Sequence, residues 1–247
     1  MKRILAFLAL SVVMLSGCES PLKKTDSPLD TAIEMKNALE NDKTSGLFMM
    51  KNIDGDLIFD SLEAIYPFAF SLELVSYQIG LTEISVNIPN NAQQMQAKAL
   101  AEKIAVNQTN GLETAQDKLA ALHDYLILNC KYDVEAAEQE VLDGTSAPFT
   151  AYGALVDGKA VCSGYARAFM MMCEAVGIEC IYISDSEMNH SWNAVKIDDE
   201  IYYIDCTFDD PIPDQGERII REYFLKTGEE LKKTHTWNDN FYEQIID

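Results

Sequence analysis

Apolar residues along the 247-residue chain recur first at helical and then at strand spacing. Leu29, Ile33, Met35 and Leu39 stand among polar neighbours, which predicts a helix over 29–39. Residues 57–65 predict a second, ended before Pro67. Residues 71–78 and 82–88 alternate and turn at Gly80, the pattern of a strand pair. Asn90 or Asn91 can cap a helix running to about Val106. Another runs from about Glu113 to Asn129, with Leu119, Leu122 and Leu126 on one side, and a short one opens at Pro148 and reaches about Leu155. An apolar helix follows Cys162 through Phe169, Met170 and Val176 until Gly177 stops it. Three strand-like runs then cover 179–184, 191–197 and 201–208. Helices that precede antiparallel strands indicate an α+β fold.

The N-terminus has a different pattern. Lys2 and Arg3 precede an apolar run of 12 residues, 4–15, too short to span a bilayer comfortably and right for a signal sequence. Leu15-Ser16-Gly17-Cys18 follows, and this resembles a bacterial lipoprotein signal. The resemblance implies that 1–17 are removed and that Cys18 is acylated. The protein is then expected on the extracytoplasmic face of the cell membrane, with 18–27 as a polar tether. Residues 28–108 form a small α/β region without a chemical motif, and 109–247 a second domain that holds the candidate chemistry. A hydrophobic content of 48% excludes a disordered chain. A net charge of −21 excludes a basic nucleic-acid surface.

Five further cysteines, Cys130, Cys162, Cys173, Cys180 and Cys206, leave at least one thiol unpaired in an exported protein. No CxxC or HExxH occurs, and the acids around Asp54 and Asp56 lack calcium-loop spacing, so no metal or cofactor is expected. Cys162 stands where a loop becomes a helix, a position whose amides and dipole favour a thiolate. Gly158 and Gly164 on either side would let a substrate approach the backbone. A buried small residue is the alternative reading of Cys162 alone.

Of three histidines, His123 borders the apolar side of its helix and reads as packing, and His235 reads as a helix-end residue away from the thiol. His190 opens a strand, and Asp205 lies on the next. A turn at Asp198-Asp199 pairs residues whose numbers sum to 397, which puts His190 and Asp205 on one face as diagonal neighbours, roughly 7–8 Å apart at the backbone. An odd-numbered loop would separate them. Thiol, imidazole and carboxylate together form the cysteine version of a nucleophile–base–orienter triad.

Tyr152-Gly153-Ala154-Leu155 with Gly158-Lys159-Ala160-Val161-Cys162-Ser163-Gly164-Tyr165, then Asn189-His190-Ser191-Trp192-Asn193, then Tyr203-Ile204-Asp205-Cys206-Thr207-Phe208-Asp209-Asp210-Pro211 resemble, in order, the nucleophile, histidine and aspartate segments of the bacterial transglutaminase-like superfamily. Phe208 departs from the Trp common there. The resemblance implies a papain-like core, with a nucleophile helix packed on an antiparallel sheet. It implies acyl transfer on amide bonds of envelope peptides or proteins, with Cys162, His190 and Asp205 catalytic. Tyr152 is expected as an oxyanion donor, and Tyr165 and Trp192 as cleft walls or as core. A cysteine peptidase or amidase is the first reading. A cross-linking transglutaminase and a non-catalytic peptide- or cell-wall-binding module are the alternatives.

Overall fold

The computed structural model describes residues 22–50, 53–77, 80–139, 143–210, 212, 213, 216 and 218–246. The expected signal segment and Cys18 lie outside them. The chain divides into two compact units, Met1–Leu62 with Phe70–Ile88 and Glu63–Ala69 with Pro89–Asp247.

The first unit contains β1 (Lys23–Lys24), α1 (Pro28–Leu39) and β2 (Ser45–Met49). The helix α2 (Gly55–Ile65) begins in it, and β3 (Ser71–Tyr77) and β4 (Leu81–Asn87) complete a sheet of order β1-β2-β4-β3. Ser27 accepts the amide of Asp30 and caps α1, with Pro28 at its first position, where a missing N–H costs nothing. Ala32, Met35 and Leu39 of α1 are buried, as are Phe48, Ile84 and Val86 of the sheet. Residues 22–27, expected as tether, are therefore part of the fold: Lys23 and Lys24 pair with Phe48 and Met49, and buried Thr25 accepts the Thr31 hydroxyl at 2.8 Å. The sequence did not suggest β2, a five-residue strand that contains Gly46 and lacks clear alternation.

The second unit contains α3 (Asn91–Gln108), α4 (Ala115–Asn129), β5 (Lys131–Tyr132), α5 (Val134–Ala137) and β6 (Lys159–Ala160). After them come α6 (Cys162–Ala175), β7 (Cys180–Asp185), β8 (His190–Ile197), β9 (Glu200–Ile204), α7 (Gly228–Leu231) and α8 (Asp239–Ile246). The helix α3 packs on α6 and α4 and falls in this unit together with Glu63–Ala69. The helix expected near 148–155 is instead a 3-10 turn, Ala147–Phe149, and a π turn, Gly153–Asp157. A Cβ at Gly153 would lie 2.4 Å from the Ala147 carbonyl, so the chain doubles back too closely for one continuous helix.

The strands β7, β8 and β9 form an antiparallel meander in that order. Asp198 and Asp199 have φ of 51° and 64°, the two left-handed residues of a tight hairpin turn. Asn193 faces Ile204 and Ile197 faces Glu200, the register expected from the sequence. The helix α6 packs on β7 and β8. Buried Asn193 fastens it there, donating at 3.1 Å to the carbonyls of Ala166 on α6 and Ile181 on β7. Arg167, also on α6, donates to Glu63 at 2.6 Å and to the Phe68 carbonyl at 3.1 Å. The α+β class and a helix on an antiparallel sheet are as expected.

Candidate active site

Cys162 is the first residue of α6 and is partly exposed. Val161 before it supplies no side-chain cap. Among the described residues no carbonyl or side chain accepts the Cys162 amide, so the helix start keeps a free donor beside the sulfur. Gly164 has a different role from the one expected. A Cβ there would lie 2.6 Å from the Pro148 carbonyl and 2.8 Å from Ala160, so the glycine admits the neighbouring chain against α6.

His190 opens the central strand of the meander and is buried. Its Nε2 lies 2.6 Å from Oδ2 of Asp205, so the diagonal pair inferred from the hairpin register meets as a hydrogen bond. Burial alone would lower the His190 pKa, but the Asp205 bond and the Cys162 sulfur outweigh it and raise it to about 10.

Asp205 follows the end of β9 and is fully buried. Its Oδ1 accepts the amides of Thr207 at 2.9 Å and Phe208 at 3.1 Å. Its Oδ2 accepts from His190 and, at 2.9 Å, from Nε2 of His235. Burial would raise this carboxyl, but the two histidine bonds and the His190 charge hold it below the usual range. His235 is thus not a free helix-end residue. It is buried, with its ring centroid 5.6 Å from that of His190. The sequence had no signal for this, because the segment between β9 and α7 has no periodicity that could place residues 30 apart.

Two of the candidate cleft residues are core. Tyr165 is fully buried and donates its hydroxyl to Asp210, so it belongs to the core. Trp192 is also core, lying near-parallel to His190 at 5.7 Å and edge-on to His235 at 4.9 Å. It faces the interior because β8 is buried along nearly all its length, and strand alternation cannot separate a core face from a cleft face. Tyr152 is partly buried, and among the described residues no hydrogen bond ties it to Cys162 or His190. The exposed aromatic at the site is Phe208, 44% accessible, with its ring 4.6 Å from His190. Tyr132 on β5 is also nearby. Burial first, then the charges of Cys162 and Asp205, raise its hydroxyl to about 12. It lines a cavity of about 580 Å³ with Gly158 and Lys159.

His123 is buried as expected and meets Oδ2 of Asp209 at 3.1 Å and Oδ1 of Asp124 at 3.3 Å. Asp209 in turn accepts the Tyr223 amide, and the Asp205 amide donates to the Tyr223 carbonyl, so this second His–Asp pair anchors the loop that carries Asp205. The ligand atoms of His190, Asp205 and His235 lie within 4.8 Å of one another, close enough to hold a metal ion, and all three are engaged in hydrogen bonds. Among the described residues no helix is long and apolar enough to cross a membrane.

The sequence model of the Transglutaminase-like superfamily matches residues 98–206, the stretch that contains Cys162, His190 and Asp205. Human Kyphoscoliosis peptidase is 23% identical over 173 residues, covering 63% of this chain and 26% of its own length. The mouse protein of that name is 22% identical over 174 residues with the same coverage, so the chain spans about a quarter of these curated relatives. Among solved structures, a TGase aligns at a TM-score of 0.41 and 16% identity, covering 66% of this chain and 50% of its own. The periplasmic domain of TgpA from Pseudomonas aeruginosa aligns at 0.32 and 16%, covering 52% and 55%.

Proposed function

We propose, from the match of residues 98–206 to the Transglutaminase-like superfamily, that the protein is a thiol enzyme of acyl transfer on amide bonds of envelope peptides or proteins, acting chiefly as a cysteine peptidase or amidase. The observation that carries the proposal is the 2.6 Å contact between His190 and Asp205, with Cys162 at the start of the helix that packs on the His190 strand. The Nε2 of His190 is engaged by Asp205, which leaves Nδ1 for the sulfur. The ionised carboxylate fixes that orientation and steadies the imidazolium.

The thiolate of Cys162 attacks the amide carbonyl, and the carbonyl oxygen gains negative charge. The Cys162 amide at the start of α6, without an acceptor among the described residues, supplies one donor to that oxyanion. His190 gives its proton to the departing amine, and a thioester to Cys162 remains. Water, deprotonated by the now neutral imidazole, releases the acid and restores the thiol. Phe208, exposed beside His190, gives an apolar wall next to the scissile bond. The name of the curated relatives favours peptide hydrolysis over cross-linking.

The protein is also proposed to be held at the extracytoplasmic face of the membrane through acylated Cys18, on the strength of Leu15-Ser16-Gly17-Cys18 and the apolar run before it. The enzymatic reading is tested by incubating the protein with unfolded casein, with and without a primary amine. The expected result is new peptide ends in either case and their loss in Cys162→Ala. Amine incorporation without new ends would assign cross-linking instead. Cleavage that persists in Cys162→Ala contradicts the proposal.

A further inference from the structure

We infer that His235 is a positioning residue of this site, a second imidazole that holds the Asp205 carboxylate ionised and directed at His190. The inference rests on the reading of Cys162, His190 and Asp205 as reactive groups. An ionised carboxylate only accepts hydrogen bonds, so Nε2 of both histidines must carry a proton where it meets Oδ2. With two amides on Oδ1, the four contacts of this fully buried carboxylate among the described residues all come from donors. A buried carboxylate stays charged only when its oxygens are so satisfied. His235 supplies the one of these four that comes neither from the local turn nor from the base itself.

The ring is held at its other end too. Thr234 Oγ1 lies 2.8 Å from Nδ1, and Trp192, Phe208 and Tyr223 surround the imidazole. Its own backbone amide is bonded to the Leu231 carbonyl at 2.9 Å, so α7 sets its position. The titratable groups facing Asp205 are His190 on β8, His235 after α7, Tyr132 on β5 and Cys206 beside it in the chain. Of these, His190 and His235 donate to it. Without His235, Asp205 binds a proton more readily, and the imidazolium that faces Cys162 loses its counter-charge at a higher pH.

The test is the rate of iodoacetamide alkylation of Cys162 as a function of pH, read by peptide mass, which needs no substrate. His235→Phe keeps an aromatic ring without the donor, and its profile is expected to move up by about one pH unit. His235→Gln retains an N–H and is expected to keep the wild-type profile. In an Asp205→Asn background, His235→Phe is expected to add no further shift, because its effect passes through the carboxylate. An unshifted His235→Phe, an equal shift in the Asp205→Asn background, or a His235→Gln profile displaced like that of Phe each overturns the inference. If His235→Phe does not fold, nitrogen NMR of the wild-type imidazoles decides: Nε2 of His235 should carry the proton it donates to Asp205, and a bare Nε2 overturns the inference. Cys162 that alkylates no faster than the buried thiols in the wild type would instead indict the underlying reading.

Discussion

At the scale of single residues, charge inside the second unit depends on histidines paired with buried acids. Burial would lower the His123 pKa, but the bonds to Asp124 and Asp209 raise it above its ordinary value. Its folded value exceeds its unfolded value of about 6.5, so its contribution to stability is complete below that pH and is lost as the pH rises through the folded value. The urea midpoint of the wild type should fall on the alkaline side of neutrality, and His123→Gln should flatten that fall. A slope unchanged in the variant would remove His123 from the account. The buried thiols differ from Cys162. Burial pushes Cys130 up to about 12 and holds Cys173 and Cys206 well above the ordinary thiol range, so all three should alkylate after Cys162 in peptide mapping.

At the scale of elements, the site depends on a hairpin and on the attachment of a helix to it. Two aspartates hold left-handed backbone in the turn, where glycine is unstrained. Asp199→Gly should therefore stabilise the protein by about 0.5 kcal/mol, read from the urea midpoint, and leave Cys162 reactivity unchanged. Asn193→Leu should cost about 2 kcal/mol, because it removes the bond from β8 to the Ala166 carbonyl on α6 and the bond to the Ile181 carbonyl on β7. It should also slow Cys162 alkylation, since α6 sets the sulfur against His190. A stability loss with unchanged alkylation would show that packing alone holds the helix in place.

The same elements show what the sequence made legible. Asp198-Asp199 was enough to pair β8 with β9, and pairing was enough to join His190 to Asp205. The helix after Cys162 could be read from its apolar period and Gly177. His235 could not be placed, because its approach is set by tertiary packing around Trp192 rather than by local periodicity. For Tyr165 and Trp192 the sequence left cleft wall and core open, because aromatic character does not distinguish a core position from a binding one, and both are core.

At the scale of the whole molecule, the acidic chain and the proposed lipid fit together: a net charge of −21 is repelled by anionic headgroups, so attachment would rest on the acyl chains of Cys18. Intact mass of the membrane-extracted protein should show loss of 1–17 and a diacylglyceryl adduct on Cys18, and Cys18→Ala should accumulate as precursor. A mature chain that begins elsewhere would contradict this. The central claim is that Cys162 and His190 act as one reactive pair. The most direct measurement is the alkylation rate of Cys162 in the wild type and in His190→Ala at about pH 6. The account predicts a rate at least about tenfold lower in the variant, with the two converging under alkaline conditions. Equal rates at that pH, in a variant that keeps its fold, would contradict it.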